Sequence, residues 1–208
     1  MDNLANDIAK LSQNGIKFII VSSGAVGLGM GKLGLSERPK DLSLLRACAS
    51  IGQCQLMNAW NRALEKSGLL ASQVLLTRED FENKKRSQKV QETLESLLKN
   101  NVIPIVNEND SIATSEIKYG DNDRLASRVA QISGADCLIL LSDVNGLYTK
   151  NPKIDNNAKL IKEIKSIDEN IEKIATKSIS EHGTGGMKTK IDAAKICQLS
   201  GCHMAIAN

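Results

Sequence analysis

The chain has 208 residues, 41% of them hydrophobic and 25% charged, which are ordinary values for a folded, soluble protein. At this length roughly 70% of the surface of the unfolded chain can be buried, so one domain with a sizeable core is expected. The 27 basic and 24 acidic residues give a net charge of only +3 and are spread along the chain. Because aromatic residues that could stack on bases make up only 2%, a nucleic-acid partner is not expected.

Cysteine usage and the first residues indicate the compartment. The five cysteines are an odd number and form no C-x-x-C pair, which predicts a reduced, cytoplasmic protein. Residues 1–4 contain no basic stretch that leads into an apolar one, and nowhere do about 18 apolar residues run together. We therefore expect neither a signal peptide nor a membrane as partner.

Hydrophobic periodicity predicts helices and strands in alternation. Leu4, Ile8 and Leu11 share one face of a first helix. A glycine-rich loop is expected over residues 23–29. The other predicted helices cover 42–66 with an interruption at Gly52, 90–99, 125–132, 167–175, and a last stretch that opens at 183–186 and ends near 199. The predicted strands cover 18–21, 74–77, 102–106, 137–141 and 203–207.

The order of these elements predicts the fold class. Continuous apolar strands between amphipathic helices are typical of a parallel sheet that is covered by helices on both faces. We therefore predict an α/β fold, a three-layer αβα sandwich with a mostly parallel sheet, as one domain over residues 1–208. Pro104 indicates that its strand is an edge strand or that the proline lies at the strand start.

In such sheets ligands bind beyond the carboxyl ends of the strands, where the polar loops of this sequence also lie. Residues 22–25, S-S-G-A, follow a strand and let backbone N–H groups approach an anion; the alternative is a tight strand-to-helix turn. Residues 29–34 match G-x-G-x-x-G, but they begin well past the strand and no acidic residue follows about 20 positions later. We interpret this match as accidental.

Two clusters of carboxylates and carboxamides are predicted at the same edge. Residues 107–110, N-E-N-D, follow one strand, and residues 120–123, G-D-N-D, precede a helix. Such clusters favour a cation or an ammonium group, and the spacing excludes an EF-hand. The alternative for Asp121 or Asp123 is a helix N-cap.

Residues 183–190, G-T-G-G-M-K-T-K, combine free N–H groups at a helix start with lysines in its first turn, which suits a polyphosphate. The alternative is a glycine loop beside a surface helix. No Walker A string is present, so a P-loop enzyme is disfavoured.

Together these strings resemble the glutamate 5-kinase branch of the amino-acid kinase family, over essentially all 208 residues. The strings are V-S-S-G-A at 21–25, P-I-V-N-E-N-D at 104–110, G-D-N-D at 120–123, L-S-D-V-N-G-L-Y at 141–148 and the glycine-lysine string at 183–190. The resemblance implies the amino-acid kinase fold and ATP-dependent phosphorylation of the γ-carboxylate of L-glutamate to glutamyl 5-phosphate, the first step of proline biosynthesis. It also implies Mg²⁺ with the nucleotide, and a homo-oligomer.

The resemblance further implies a role for each matched residue. Glutamate is expected to contact Ser23, Gly24, Ala25, Asp110, Asp121 and Asn122. ATP is expected to contact Lys118, Ser142, Asp143, Thr184, Gly185, Gly186, Met187, Lys188, Thr189 and Lys190. Lys190 is expected to be catalytic by neutralising charge on the transferred phosphoryl group, and Asp123 by orienting that lysine. No residue is expected to be a dedicated metal ligand.

The resemblance is incomplete at both ends. In the family, a strand of the form V-V-K-x-G-S precedes the first helix. Met1 of this chain already lies in that helix, so we expect no counterpart of the lysine in that strand. The chain also stops before the end of the family's kinase domain and before the small PUA domain that often follows. Three readings stay open: a glutamate kinase, an inactive fragment that still binds nucleotide or glutamate, and a family member with another acceptor.

Overall fold

A computed structural model describes residues 1–112, 122–152, 154–177 and 186–208 of the chain. The chain divides into two compact units, Met1–Tyr119 and Gly120–Asn208. Unit 1 contains α1 (Asp2–Ser12), β1 (Ile20–Val21), α2 (Ala25–Lys32), α3 (Leu42–Glu65), β2 (Leu70–Leu76), α4 (Glu79–Glu82), α5 (Lys84–Lys99) and β3 (Val102–Glu108). Unit 2 contains α6 (Asn122–Ser133), β4 (Cys137–Leu141), α7 (Glu169–Lys177), α8 (Met187–Leu199) and β5 (His203–Ala207).

The sheet of unit 1 is parallel, with strand order β1-β3-β2. All seven residues of β3 are buried. The apolar run predicts this for residues 102–106, whereas Asn107 and Glu108, predicted to follow the strand, are its last two residues. The prediction of an edge strand at Pro104 is wrong, because β3 is the central strand and the proline is its third residue. β1 pairs only opposite Ile105 and Val106, so at Pro104 the strand has a partner only on the β2 side, where Ser72 lies opposite.

Helices α1 and α3 cover this sheet with aliphatic side chains and one tryptophan. Ala5 and Ile8 of α1 join Leu56, Trp60 and Leu64 of α3 in the same buried cluster as Ile103 and Ile105 of β3. The side chain of Asp41 caps α3, because its Oδ2 accepts a hydrogen bond from the Leu44 N–H at 2.7 Å.

The glycine-rich segment 23–29 is not a loop throughout, because α2 begins at Ala25. Gly24, with φ of 107°, is its N-cap residue. The expected interruption of α3 at Gly52 is also wrong: α3 is continuous, and its glycine serves close packing. A Cβ at Gly52 would overlap the carbonyl oxygen of Ala25, and one at Gly29 would overlap that of Cys48. The two helices therefore meet backbone to backbone.

In unit 2, β4 pairs with β5 in parallel. Cys137 lies opposite His203 at one end of the pairing, and Leu141 lies opposite Ala207 at the other. Helices α6 and α8 supply Ala130 and Cys197 to one buried cluster. The predicted α/β class with parallel strands is confirmed, whereas one domain over the whole chain stays a prediction. None of the helices in the described part of the chain has the length and apolar character needed to cross a membrane.

Candidate active site

Unit 1 contains a pocket of about 200 Å³ at the carboxyl ends of β2 and β3. Its position follows from the parallel sheet, because the loops that leave the two strands open on the same edge. The wall is almost entirely polar or small. It is formed by Ala25, Ala49, Ser50, Gln53, Cys54, Gln73, Leu75, Glu108, Asn109, Asp110 and Ser111. Of the predicted glutamate-binding residues, Ala25 and Asp110 therefore line the same pocket.

A pair of buried amides lies beside this pocket. The Asn107 Nδ2 donates a hydrogen bond of 2.9 Å to the Oε1 of Gln53, and both side chains are buried. The Gln53 Nε2 is also buried, and it has no hydrogen-bond partner among the residues described. An amide donor without a partner costs free energy in a folded protein unless a ligand or water meets it.

Ser23 and Gly24 lie exposed between the end of β1 and the start of α2, directly before the pocket residue Ala25. The preceding residue is fixed from the other side, since Trp60 donates a 2.9 Å hydrogen bond from Nε1 to the Ser22 Oγ. The Ser22 N–H also donates to the Val106 carbonyl of β3. These contacts hold the strand-to-helix turn on the sheet while its tip stays open to solvent.

Unit 2 contains a buried ion pair between the first turns of two helices. Lys190 of α8 donates from Nζ to the Oδ2 of Asp123 of α6 at 2.9 Å. Only 11% of the lysine side chain and 15% of the aspartate side chain are exposed. The N-cap alternative for Asp123 is wrong, because α6 begins at Asn122 and the carboxylate binds a lysine 67 residues away.

The start of α8 is organised around the same aspartate. The Thr189 hydroxyl lies 3.1 Å from the Asp123 Oδ2 and 2.8 Å from the Gly186 carbonyl, and it can donate to either acceptor. Gly186 is the N-cap residue, so Met187, Lys188 and Thr189 form the first turn. The start of a helix attracts anions, and Lys188 is exposed beside it. The Thr189 N–H itself already donates to the Gly186 carbonyl at 3.1 Å.

Two more predicted ATP residues follow β4. The Ser142 N–H donates to the Ala207 carbonyl at 2.8 Å, which continues the pairing of β4 with β5 by one residue. Its hydroxyl lies 3.4 Å from the Asp143 carboxylate, and that aspartate is exposed. Both side chains thus lie at the carboxyl end of a parallel strand, as predicted.

Asn122, the first residue of α6, is partly buried. Its Nδ2 is buried, with no hydrogen-bond partner in the described part of the chain. Like Gln53 in unit 1, it therefore offers a donor that none of the described residues uses. A substrate carboxylate is one group that could accept from it.

A protein-family model described as the amino acid kinase family matches residues 1–208. The chain belongs to the amino acid kinase family. This match confirms the resemblance that the five strings predict, and it covers both units.

Curated relatives are similar over the whole chain. The chain is 63% identical to a glutamate 5-kinase of Pelagibacter ubique (strain HTCC1062) and 48% identical to a glutamate 5-kinase of Caldanaerobacter subterraneus, and it covers 56% of each. It is 47% identical to a glutamate 5-kinase of Clostridium acetobutylicum and covers 78% of that protein. All 208 residues align in each case. The chain thus spans little more than half the length of the first two relatives.

Solved structures support the family fold. The chain matches an isopentenyl phosphate kinase with a TM-score of 0.60 at 18% identity, over all of this chain and 82% of that one. A product complex of the isopentenyl phosphate kinase of T. acidophilum gives a TM-score of 0.60 at 17% identity. At this identity the likeness concerns the fold, and it confirms the predicted amino-acid kinase fold.

Several predicted site residues of this family member fall outside the described residues. These are Lys118, Asp121, Thr184 and Gly185. Their assignments stay predictions.

Sequence reasoning missed Gln53 and Trp60, because each lies in the middle of a long amphipathic helix where the pattern shows only a buried position. A glutamine at a core position of α3, with an asparagine at a core position of β3, was the one available signal. Buried amides need partners, so such a pair predicts a contact or a ligand. Gln53 and Asn107 are 54 positions apart in the sequence, so a local pattern does not reveal that they are in contact.

The described residues contain no group of three or more histidine, cysteine, aspartate or glutamate side chains that could hold a metal ion. Mg²⁺ binds proteins mostly through one or two carboxylates together with substrate phosphates.

Proposed function

We propose that the protein transfers the terminal phosphoryl group of ATP to the γ-carboxylate of L-glutamate, giving glutamyl 5-phosphate and ADP in the first step of proline biosynthesis. A γ-carboxylate oxygen attacks the γ-phosphorus, and the bond from that phosphorus to the bridging oxygen breaks. The observation that carries the proposal is the buried Lys190–Asp123 pair at the start of α8. The names of the curated relatives support it.

Unit 2 would supply the nucleotide site. Phosphoryl transfer needs positioned cations and N–H donors rather than covalent chemistry by the protein. Lys190 is held by Asp123 in one orientation, so its ammonium group would meet charge developing on the moving phosphoryl group without first rearranging. Gly186 to Lys190 would hold phosphate oxygens at the helix start, together with Thr184 and Gly185. Ser142 and Asp143 would complete the contacts of unit 2 to ATP, and Lys118 is proposed as an ATP contact on the resemblance alone.

The acceptor site would use the polar pocket of unit 1. Asp110 would bind the ammonium group of glutamate, and Ser23, Gly24 and Ala25 would present backbone N–H groups and a hydroxyl to a carboxylate. From unit 2, Asn122 as a donor and Asp121 as a partner of the ammonium group are proposed as further glutamate contacts on the resemblance alone. When bound with ATP, Mg²⁺ supplies positive charge to the phosphate oxygens.

The cellular context is part of the same proposal. A biosynthetic kinase that uses ATP and a free amino acid acts in the cytoplasm, and the free cysteines of the chain are compatible with a reducing compartment. We also propose a homo-oligomer, with neither nucleic acid nor membrane as partner.

The experiment is a kinase assay on the purified 208-residue chain and on a longer form extended to the full length of the curated relatives, of which the chain covers 56% to 78%. ADP formation is followed with MgATP and L-glutamate, and glutamyl phosphate is trapped with hydroxylamine as the hydroxamate. Turnover that depends on glutamate supports the proposal.

The remaining outcomes separate the alternatives. Binding of glutamate or ATP by both forms without turnover by either favours an inactive binding protein. If both forms ignore glutamate but phosphorylate another carboxylate or a phosphate monoester, the substrate assignment is wrong and the family assignment stands.

A further inference from the structure

The amide of Gln53 is a buried polar group of unit 1 whose hydrogen bonding no described residue completes. The side chain is 92% buried, lines the 200 Å³ pocket, and has its Oε1 occupied by the Asn107 Nδ2. Its Nε2 has no hydrogen-bond partner in the described residues. Because a protein rarely leaves a buried N–H unpaired, this donor calls for an acceptor atom that the described residues do not supply, such as an oxygen of a ligand in the pocket.

The rest of the pocket wall narrows the identity of that acceptor. Glu108 and Asp110 bring two carboxylates to the same pocket as the Gln53 amide. Carboxylates select a cationic group, and an N–H donor selects an oxygen that carries negative charge. A molecule with an ammonium group next to a carboxylate, an α-amino acid, satisfies both requirements.

We infer that Gln53 is a substrate-binding residue that donates its Nε2–H to the α-carboxylate of the acceptor amino acid. This inference rests on the proposed function. In that reaction the γ-carboxylate is the nucleophile and must stay open to the nucleotide. The carboxylate held by a deeply buried side chain is therefore the α-carboxylate.

The decisive variant is Gln53→Glu. Glutamate has the shape of glutamine and keeps an oxygen that accepts from Asn107, but it replaces the N–H donor by a second oxygen. A role limited to holding Asn107 would survive this change. A contact with a substrate carboxylate would be lost. At pH 8 we therefore expect KM for L-glutamate to rise roughly 10- to 100-fold while kcat changes less than threefold.

The matched control is Gln55→Glu. Gln55 is on the same helix and is half-buried. It is not among the described residues that form the pocket wall. The control carries the same change of charge, so KM should stay within twofold. Gln53→Met, which removes donor and acceptor at similar volume, replaces the glutamate variant if circular dichroism shows that Gln53→Glu is unfolded.

The contact with the α-carboxylate is tested with L-isoglutamine, which carries an α-carboxamide and keeps the γ-carboxylate. The wild type should prefer L-glutamate by about tenfold or more in kcat/KM. In Gln53→Glu that preference should vanish or reverse, because the new carboxylate accepts from the carboxamide.

The measurements use whichever form of the protein phosphorylates glutamate in the assay above. An unchanged KM in Gln53→Glu, or an unchanged preference between the two ligands, overturns the role of Gln53 and leaves the proposed function intact. A wild type that neither binds nor phosphorylates glutamate in either form overturns the proposed function, and the role of Gln53 falls with it.

Discussion

Each unit of the chain contains a partly buried pair of a carboxylate and a cation, and the two pairs differ in how they are held. In unit 1 the Asp80 carboxylate accepts from the Thr77 N–H at 2.6 Å, from the Thr77 hydroxyl at 2.8 Å and from Arg86 at 2.7 Å. In unit 2 the Asp123 carboxylate accepts from Lys190 at 2.9 Å. The first pair spans six residues of sequence and the second spans 67.

The two cations, Arg86 and Lys190, differ in how exposed they are to solvent. Arg86 is 49% exposed, so water screens its charge, and its contacts close the turn between β2 and α5. Lys190 is 11% exposed and lies where a helix start attracts anions. A local pair can stabilise its own turn. A pair that joins two distant helices instead keeps a desolvated ammonium group in a fixed place, which is what phosphoryl transfer requires.

The largest expected effect comes from Lys190→Met. Removing one preorganised electrostatic donor typically costs about 10² to 10³ in rate. We therefore expect kcat for glutamate-dependent ADP formation to fall by about that factor in the active form of the protein. The matched control is Lys195→Met, on the same helix, because Lys195 pairs with Glu172 at 2.7 Å and is 39% exposed. Its kcat should stay within twofold, and more than a tenth of wild-type kcat in Lys190→Met would contradict the catalytic role.

A smaller effect, on stability and glutamate binding, is expected from Gly52→Ala in unit 1. The added methyl group would overlap the Ala25 carbonyl oxygen and lie 2.5 Å from the Gly29 backbone nitrogen, so α2 must move away from α3. Overpacking against backbone should lower the free energy of unfolding by about 3 kcal/mol, measured by urea denaturation. Because α2 begins at the pocket, KM for glutamate should rise as well.

Gly31→Ala is the control for this change. Gly31 is also in α2, but a Cβ there meets no atom within 4 Å. In a helix interior this substitution should stabilise the protein by roughly 0.5 to 1 kcal/mol. Equal destabilisation by both variants would show that the backbone contact at Gly52 is not what sets the position of α2.

The smallest effect is expected from Asp80→Asn, which tests the local pair. Burial by itself would raise the pKa of Asp80, but the hydrogen bonds from Thr77 and the contact with Arg86 together lower this pKa below its usual 3.8. The variant should lose about 1 to 3 kcal/mol of unfolding free energy at pH 7, with little change in kcat. Glu82→Gln, which breaks the exposed contact with Arg78, should lose less than 1 kcal/mol.

The pH dependence of that loss has a definite sign. Above about pH 5 the Asp80 carboxylate is ionised in the folded and the unfolded chain, so the difference between wild type and variant is constant. As the pH falls through 3.8 the unfolded chain binds the proton first, and the stabilisation disappears as the pH passes through the lower folded-state pKa. Urea denaturation between pH 7 and pH 3 checks this, and a difference that grows on acidification would contradict it.

The sequence by itself determined the α/β class, the parallel pairing, most element positions and the polar segments at the strand ends. These features follow from local patterns: apolar runs fix strands, amphipathic periods fix helices, and glycine-rich or acidic strings mark loops. The five strings also determined the family, because their residue types and spacings are matched along the whole chain.

Only the tertiary structure decided which side chains meet. Whether Asp123 caps its own helix or binds Lys190, whether Gly52 breaks α3 or lets α2 approach, and whether Pro104 lies in an edge or a central strand depend on neighbours far away in sequence. The same holds for Gln53, whose amide is completed on one side by Asn107 and on the other by no described residue. Such contacts arise from packing, which a local pattern does not contain.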